Sequence, residues 1–323
     1  MVRKQHAWLG AIVLAFSATA ALAQAGYPGQ PIKLMVPWPP GGGVDTTARM
    51  IADPLAQRLG QPIVIDNRGG AGGNIGTEAA ARMKGDGYNL LMGSISPNAV
   101  NVHLYGRLGF DPVKDFAPIV YVSSVPNILV VPAASPFMTV KDVVDFARAN
   151  PGKLNYASGG VGSSQHLAAV QFMQVAGINL VHVPYKGTAP AETDLVAGHV
   201  SLMLDTTTCL PFIAGGKMRA LAVASKKRNP ALPNVPTFDE AGLPGIYASS
   251  WYGLMAPAGT PRAVVDKLNA EANAVLKSPD MQKRMADFGA EVGGGSPEDF
   301  GNFIVSEIKR YEGIVKASGA KLE

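Results

Sequence analysis

The sequence predicts an α/β protein of two lobes, each a doubly wound, mostly parallel sheet, with a cleft between them. Three observations lead there. Residues 32–92 alternate as β-α-β-α-β, the rhythm of a parallel sheet with helices on its faces. A second α/β alternation occupies residues 139–224. Two stretches also share one grammar of strand, glycine turn and helix start: Lys33-Leu-Met-Val-Pro-Trp-Pro-Pro-Gly-Gly-Gly-Val-Asp-Thr-Thr-Ala-Arg49 and Leu154-Asn-Tyr-Ala-Ser-Gly-Gly-Val-Gly-Ser-Ser-Gln-His-Leu167. Such a turn leaves backbone N–H groups without partners at the positive end of a helix dipole, which suits an anion. The expectation is one half-site per lobe, facing each other across the cleft. For either loop alone, a plain tight turn explains the glycines equally well.

The first 25 residues read as a secretory signal peptide. Arg3 and Lys4 form a positive start, Trp8 to Ala18 an apolar run, and Ala21-Leu-Ala23 or Ala23-Gln-Ala25 a small-x-small cleavage site. Without Arg3 and Lys4 the 28 basic residues fall to 26 against 24 acidic ones. No basic block occurs, so nucleic acid is not an expected partner. Cys209 is the single cysteine. It cannot form an internal disulfide and is expected to be a small, buried, inert residue.

The elements follow in order. Ile32–Val36 is a strand, and residues 45–59 a helix with Ala48, Ile51, Ala52, Leu55 and Leu59 at helical spacing. Gly60 stops it. Ile63–Ile65 is a strand, residues 75–83 a helix, and Tyr88–Met92 a strand closed by Gly93–Ser96. In open α/β sheets, ligands sit beyond the carboxyl ends of strands. Phe116–Val122 and Ile128–Val131 carry the first crossing into the second lobe. There Thr139 caps a helix, Ser163 or Ser164 starts another, and strands lie at residues 155–157, 180–183, 201–204 and 219–224. Trp251–Met255 is the return crossing, and three helices with Pro261, Pro279 and Pro297 near their starts end the chain. The lobes are then residues 26–125 with 246–323, and residues 126–245.

Catalytic signatures fail position by position. G-x-G-x-x-G is broken at Thr46, Ile75 and Gln165, and no P-loop is present. No G-x-S-x-G occurs, and Ser306-Glu-Ile-Lys309 sits alone in a late polar helix. The five histidines show no metal-ligand spacing. A binding protein without cofactor or metal is therefore expected over an enzyme. Asp45 reads as a helix N-cap paired with Arg49, or as the acceptor of a ligand hydroxyl or amine. His166, about one turn into its helix, holds the loop or touches ligand. Asp205 caps the next helix or points into the cleft. Trp38 is core or cleft wall, and Trp251 and Tyr252 are hinge packing or ligand contacts.

Five ordered motifs resemble a known family. They are Val36-Pro-Trp-Pro-Pro-Gly-Gly-Gly-Val-Asp45, Asp66-Asn-Arg-Gly-Gly-Ala-Gly-Gly-Asn-Ile-Gly76, Ala157-Ser-Gly-Gly-Val-Gly-Ser-Ser-Gln-His-Leu167, Val183-Pro-Tyr-Lys-Gly187 and Trp251-Tyr-Gly-Leu-Met-Ala-Pro257. They are similar to the Bug family, the periplasmic substrate-binding proteins of tripartite tricarboxylate transporters. The resemblance implies a periplasmic-binding-protein (Venus flytrap) fold, a monomer in the periplasm, membrane transporter subunits as partners, and a small organic carboxylate in the cleft: a di- or tricarboxylate or an aromatic acid. It places ligand contacts on Pro40, Gly41, Gly42, Gly43, Asp45 and Thr46 of the first loop. Ser158, Gly160, Gly162, Ser163 and Ser164 would supply those of the second, and His166, one turn into that helix, is a candidate beside them. Tyr185, Lys186 and Gly187 form the third segment. Asn74, Ser94, Ser96 and Asp205, at other strand ends, complete the expected site. Trp38-Pro39-Pro40 departs from the family's usual residues there and offers Trp38 as a wall for a flat acid. Both glycine loops lack Lys and Arg. Backbone N–H groups are thus expected to hold the anion, with Gly42 and Gly160 giving close approach and positive φ.

Overall fold

The computed structural model describes residues 26–320. The expected signal peptide lies outside them. The first sheet has strand order β11-β4-β10-β3-β1-β2, and the second β7-β6-β8-β5-β9. The first is built from β1 (Ile32–Val36), β2 (Ile63–Asn67), β3 (Asn89–Ser94), β4 (Phe116–Pro126), β10 (Ser249–Pro257) and β11 (Glu291–Gly294). The second contains β5 (Ile128–Pro132), β6 (Asn155–Ser158), β7 (Val181–Pro184), β8 (Leu202–Asp205) and β9 (Met218–Val223).

The two-lobed α/β architecture stands, but the sheets are mixed. Among the named strands of the described residues, parallel pairing is confined to β1 with β2 and β3, and to β6 with β7 and β8. All other pairs are antiparallel. The cause is the crossing itself. A strand entering a lobe from its neighbour, such as β5 or β10, starts at the cleft, whereas β1, β3, β6 and β8 end there. At the crossing the chain pairs with itself: Asn127 N–H donates to Ala248 O at 2.9 Å, Ala224 N–H to Asn127 O at 2.8 Å, and Ala248 N–H to Ala224 O at 3.0 Å.

Helices α1 (Gly43–Leu59) and α8 (Arg262–Leu276) cover one face of the first sheet. Ile51, Leu55, Leu268 and Ala272 there meet Leu34, Val36 and Leu254 in a dry core. The opposite face carries α2 (Asn74–Ala81), α3 (Asn101–Leu104) and α10 (Pro297–Ser318), with Trp251 packed edge-on against Phe300 and Phe303. In the second lobe, α4 (Val140–Ala149) and α5 (Ser164–Ala176) cover one face. Helices α6 (Thr188–Val196) and α7 (Leu210–Ala214) lie against the other. Leu167 of α5 is buried in the first lobe's core cluster, so the lobes share apolar packing. Helix α9 (Pro279–Asp287) is capped by Ser278, which accepts from Met281 N–H.

Three elements escaped the sequence reading. Residues 96–104 are helical, a π-turn running into α3; Pro97 near the start suits the first turn, but Ser-Pro reads as a stop. Strand β11 carries two glycines in four residues and exists by pairing with β4. Helix α7 has five residues, too few for a periodic signal.

Candidate functional site

Helix α1 begins at Gly43, two residues before the expected start. Gly42 is the N-cap, extended at φ −82°, with no side chain to cap anything. Asp45 is not the N-cap; it sits in the first turn and reaches back to accept the Gly41 N–H at 3.0 Å. The expected Arg49 partner is present, at 3.0 Å. Asn67, at the end of β2, donates to Asp45 Oδ1 and to Trp38 O, each at 3.0 Å. Burial works against the Asp45 charge. The bonds from Arg49, Gly41 and Asn67 outweigh it and hold the carboxyl below its usual range. The carboxylate is spent on the loop's own geometry and does not line the cleft cavity.

The second loop is fixed without charge. Ser163 caps α5, accepting from His166 N–H at 3.3 Å. His166 Nδ1 in turn accepts the Gly162 N–H at 3.2 Å. Its ring stacks on His182 at 4.4 Å between centroids, and His182 stacks on Tyr156 at 4.7 Å. His182 Nε2 lies 2.7 Å from Ser158 Oγ, which also accepts the Gly160 N–H at 3.1 Å. Burial lowers both imidazoles to about 4, with His166 adding to the effect on His182, so both are neutral at pH 7. Tyr185 N–H donates to Ser158 O at 2.9 Å and Gly187 N–H to Gly159 O at 3.1 Å, stitching the third segment alongside. Gln165 Nε2 reaches Thr188 Oγ1 at 3.0 Å, tying the start of α5 to that of α6.

These locks aim three helix N-termini, those of α1, α5 and α6, at one cavity. Of the expected site residues it gathers Trp38, Gly42, Gly43, Ser94, Ser96, Ser163, Ser164 and Gly187. Among the described residues, no Lys, Arg, His, Asp or Glu lines it. It also contains Tyr252, left open between hinge packing and ligand contact, and residues the sequence did not point to: Gln165, Thr188, Thr206 and Ser250. A signal for some of these existed. Ser250 and Tyr252 are two apart on β10 and share a face, and Gln165 and Thr188 lie in the first turn of helices that follow named loops. Tyr252 stands opposite Ser94 in register and lines the slot, while Trp251 is core, its Nε1 donating to Glu307 Oε2 at 3.1 Å.

The other expected residues fall elsewhere. Gly160, Tyr185 and Lys186 line a separate outer chamber, with Lys186 exposed. Gly41 and Thr46 border a further groove on another side. Pro40 is exposed. Asn74 Oδ1 accepts from Asn101 at 2.6 Å. Gly162, at φ +80°, is a lobe contact: a Cβ there would stand 2.6 Å from Leu104 Cδ2. Asp205 is fully buried beside Glu192. Burial, then the neighbouring Glu192, pushes it well above the carboxylate range, and burial raises Glu192 too. Two facing acceptors of this kind hold a proton between them. Cys209 is buried, and burial pushes its thiol up. The positive φ expected at Gly160 is found, at +131°; the one expected at Gly42 is not. It is Gly43 whose missing side chain matters in the first loop, since a Cβ there would run into the Tyr252 hydroxyl. The lobes are close together: Gly42 and Gly43 present their Cβ positions 3.7 and 3.6 Å from Thr188 Oγ1 and Thr206 Oγ1.

Comparison with known proteins agrees with this geometry. Residues 47–320 match the family described as the tripartite tricarboxylate transporter family receptor. Protein BugT of Bordetella pertussis is 37% identical over 319 residues, covering 97% of this chain and 98% of its own. A solved R. palustris protein with adipate has a TM-score of 0.89 at 39% identity, covering 92% of this chain and all of that one. MatC from Rhodopseudomonas palustris with bound malate has a TM-score of 0.84 at 34% identity, covering 90% and 100%. The chain belongs to the tripartite tricarboxylate transporter receptor family and is a solute-binding protein of the Bug type.

Proposed function

We propose that this chain captures a small organic carboxylate between its lobes, 26–125 with 246–323 and 126–245, and delivers it to membrane transporter subunits. The observation that carries the reading is the convergence of the N-termini of α1, α5 and α6 on a cavity lined by no charged side chain. Fixed backbone dipoles attract a carboxylate there without the desolvation cost of a buried cation. Seryl and threonyl hydroxyls from Ser94, Ser96, Ser163, Thr188 and Thr206 complete the polar lining. The relatives solved with adipate and malate support a di-acid as the ligand class. Export through the signal peptide of residues 1–25 and a monomeric periplasmic state belong to the same proposal. So does binding without chemical turnover: the slot offers hydroxyls but no base beside them, because His166 and His182 are spent on the second loop.

A thermal-shift screen of organic acids on refolded, ligand-free protein tests this. A ligand at one hundred times its dissociation constant is expected to add about 2.7 kcal/mol of stability. Mass analysis should recover the acid unchanged. A broad library of di-, tri- and aromatic acids without any shift would overturn the reading.

A further inference from the structure

Two hollows meet at one wall. The inner cavity leaves about 40 Å³ for the centres of water-sized groups. At about 10–15 Å³ for each, that is room for three or four waters. The outer chamber leaves about 480 Å³ by the same measure and is bordered by Gly70, Gly72, Gly160 and Lys186. Trp38, Pro39 and Gly187 line both hollows. Trp38 is tethered, its Nε1–H donating to Ser94 Oγ at 3.1 Å. Pro39 is backed by Gly69, where a Cβ would stand 2.7 Å from Pro39 Cδ. From the other lobe, Gly187 at φ +120° approaches so closely that a Cβ would lie 3.2 Å from Pro39 Cγ. The wall therefore has a fixed side and a side that arrives with the second lobe.

We propose that Trp38 is a specificity-determining residue: with Pro39 and Gly187 it shuts the inner slot from the outer chamber and limits the captured acid to a short chain. The inference rests on the carboxylate reading above. One carboxylate of a diacid meets the helix N-termini and its carbons fill the slot. A longer chain must push the indole off Ser94 and hold Gly187 away from Pro39, so it opposes closure. Without the indole the two hollows join. The far carboxylate of a long diacid then reaches the outer chamber, where Lys186 and the positive-φ turn at residues 70–73 stand.

Calorimetric titration with unbranched α,ω-diacids of four to ten carbons tests this on wild type, Trp38→Ala and Trp38→Phe. Wild type is expected to lose at least about tenfold in affinity within two to four carbons of its best ligand. Trp38→Ala should move that limit up by at least two carbons and bind the excluded acids at least about tenfold tighter than wild type. Trp38→Phe, which keeps a ring in the wall, should keep the wild-type limit. If Trp38→Ala fails to fold, Trp38→Leu makes the same comparison. The same length profile in wild type and the small variants would overturn the partition. So would a loss of all acids alike on removing the ring, which would make Trp38 a plain ligand contact. Absence of binding to any diacid by every protein would sink the carboxylate reading, and the partition with it.

Discussion

The two half-sites share a strand, a glycine turn and a helix start, yet they are locked by different forces. The first is held by a buried carboxylate. Asp45 is 3% exposed and gathers Gly41, Arg49 and Asn67. The second is held by neutral groups: the Tyr156, His182 and His166 stack, with Ser158 and Ser163 bonding the loop backbone. A carboxylate lock keeps its hold down to low pH. An imidazole lock fails as soon as protonation competes with burial. The same backbone device for an anion thus carries two different acid sensitivities in one molecule.

The largest effect should come from filling the glycines that let backbone approach. Gly43→Ala places a methyl against the buried Tyr252 hydroxyl. Gly160→Val puts a branched residue at φ +131° with its Cβ 3.2 Å from Tyr185 O. Each is expected to weaken carboxylate binding by roughly a hundredfold, the scale of a 1–3 kcal/mol overpacking penalty. Lys186→Ala, at an exposed position, should cost less than about threefold. Calorimetry on folded variants decides. If Lys186→Ala abolished binding and Gly160→Val left it intact, side-chain charge would hold the anion and the comparison of backbone half-sites would lose its basis.

A smaller effect separates the two locks by pH. The folded pKa of His166 is depressed from 6.5 to about 4. Between those values the unfolded chain binds a proton that the folded one refuses, so stability falls as pH drops from about 6.5 to 4 and is level above. On its own, His166 is expected to cost on the order of 3 kcal/mol across that window. Asp45 is also depressed, from 3.8. Its contribution is complete above that value and is lost only as pH falls through the lower folded one. Hydrogen exchange at pH 7 and pH 5 should therefore show residues 158–166 loosening while residues 41–49 stay protected. His166→Gln should lessen the fall in urea-measured stability over the window, with His182 still contributing its own share. Equal loosening of both loops at pH 5 would show that one lock serves both.

The smallest expected effect is that of salt. Dipoles fixed along a largely buried lining are screened less than exposed charges. Raising sodium chloride from about 50 to 500 mM should change affinity by under about threefold, against the steeper loss that an exposed cationic site would show. A tenfold loss would place the anion against exposed cations such as Lys186.

Much of this was legible in the chain. The strand–glycine–helix grammar rests on local rules, and Ile51, Leu55 and Leu59 announce their helix by spacing alone. Gly160 carries the positive φ expected of it. Harder cases depended on partners distant in sequence. Gly42 and Gly43 look alike on paper, and only the position of Tyr252, over two hundred residues away, makes the second indispensable. His166 reads from sequence as a ligand contact or a loop anchor, and its acceptance of the Gly162 N–H is visible only in the fold. Lys186 follows the tyrosine of a named motif, yet it borders the outer chamber because β7 is an edge strand of its sheet.

Local rules along the chain fix the order of most elements, the lack of cations in both loops and the helix starts that supply positive ends. Those follow from backbone propensity and turn chemistry, which act within a few residues. The tertiary structure decided which expected residues share a cavity, that the sheets are mixed, and that Trp38, Pro39 and Gly187 form one wall. Such facts depend on how two lobes meet, and burial and closest approach are properties of that meeting. No local pattern carries them, because each involves atoms that the chain brings together only by crossing twice between its sheets.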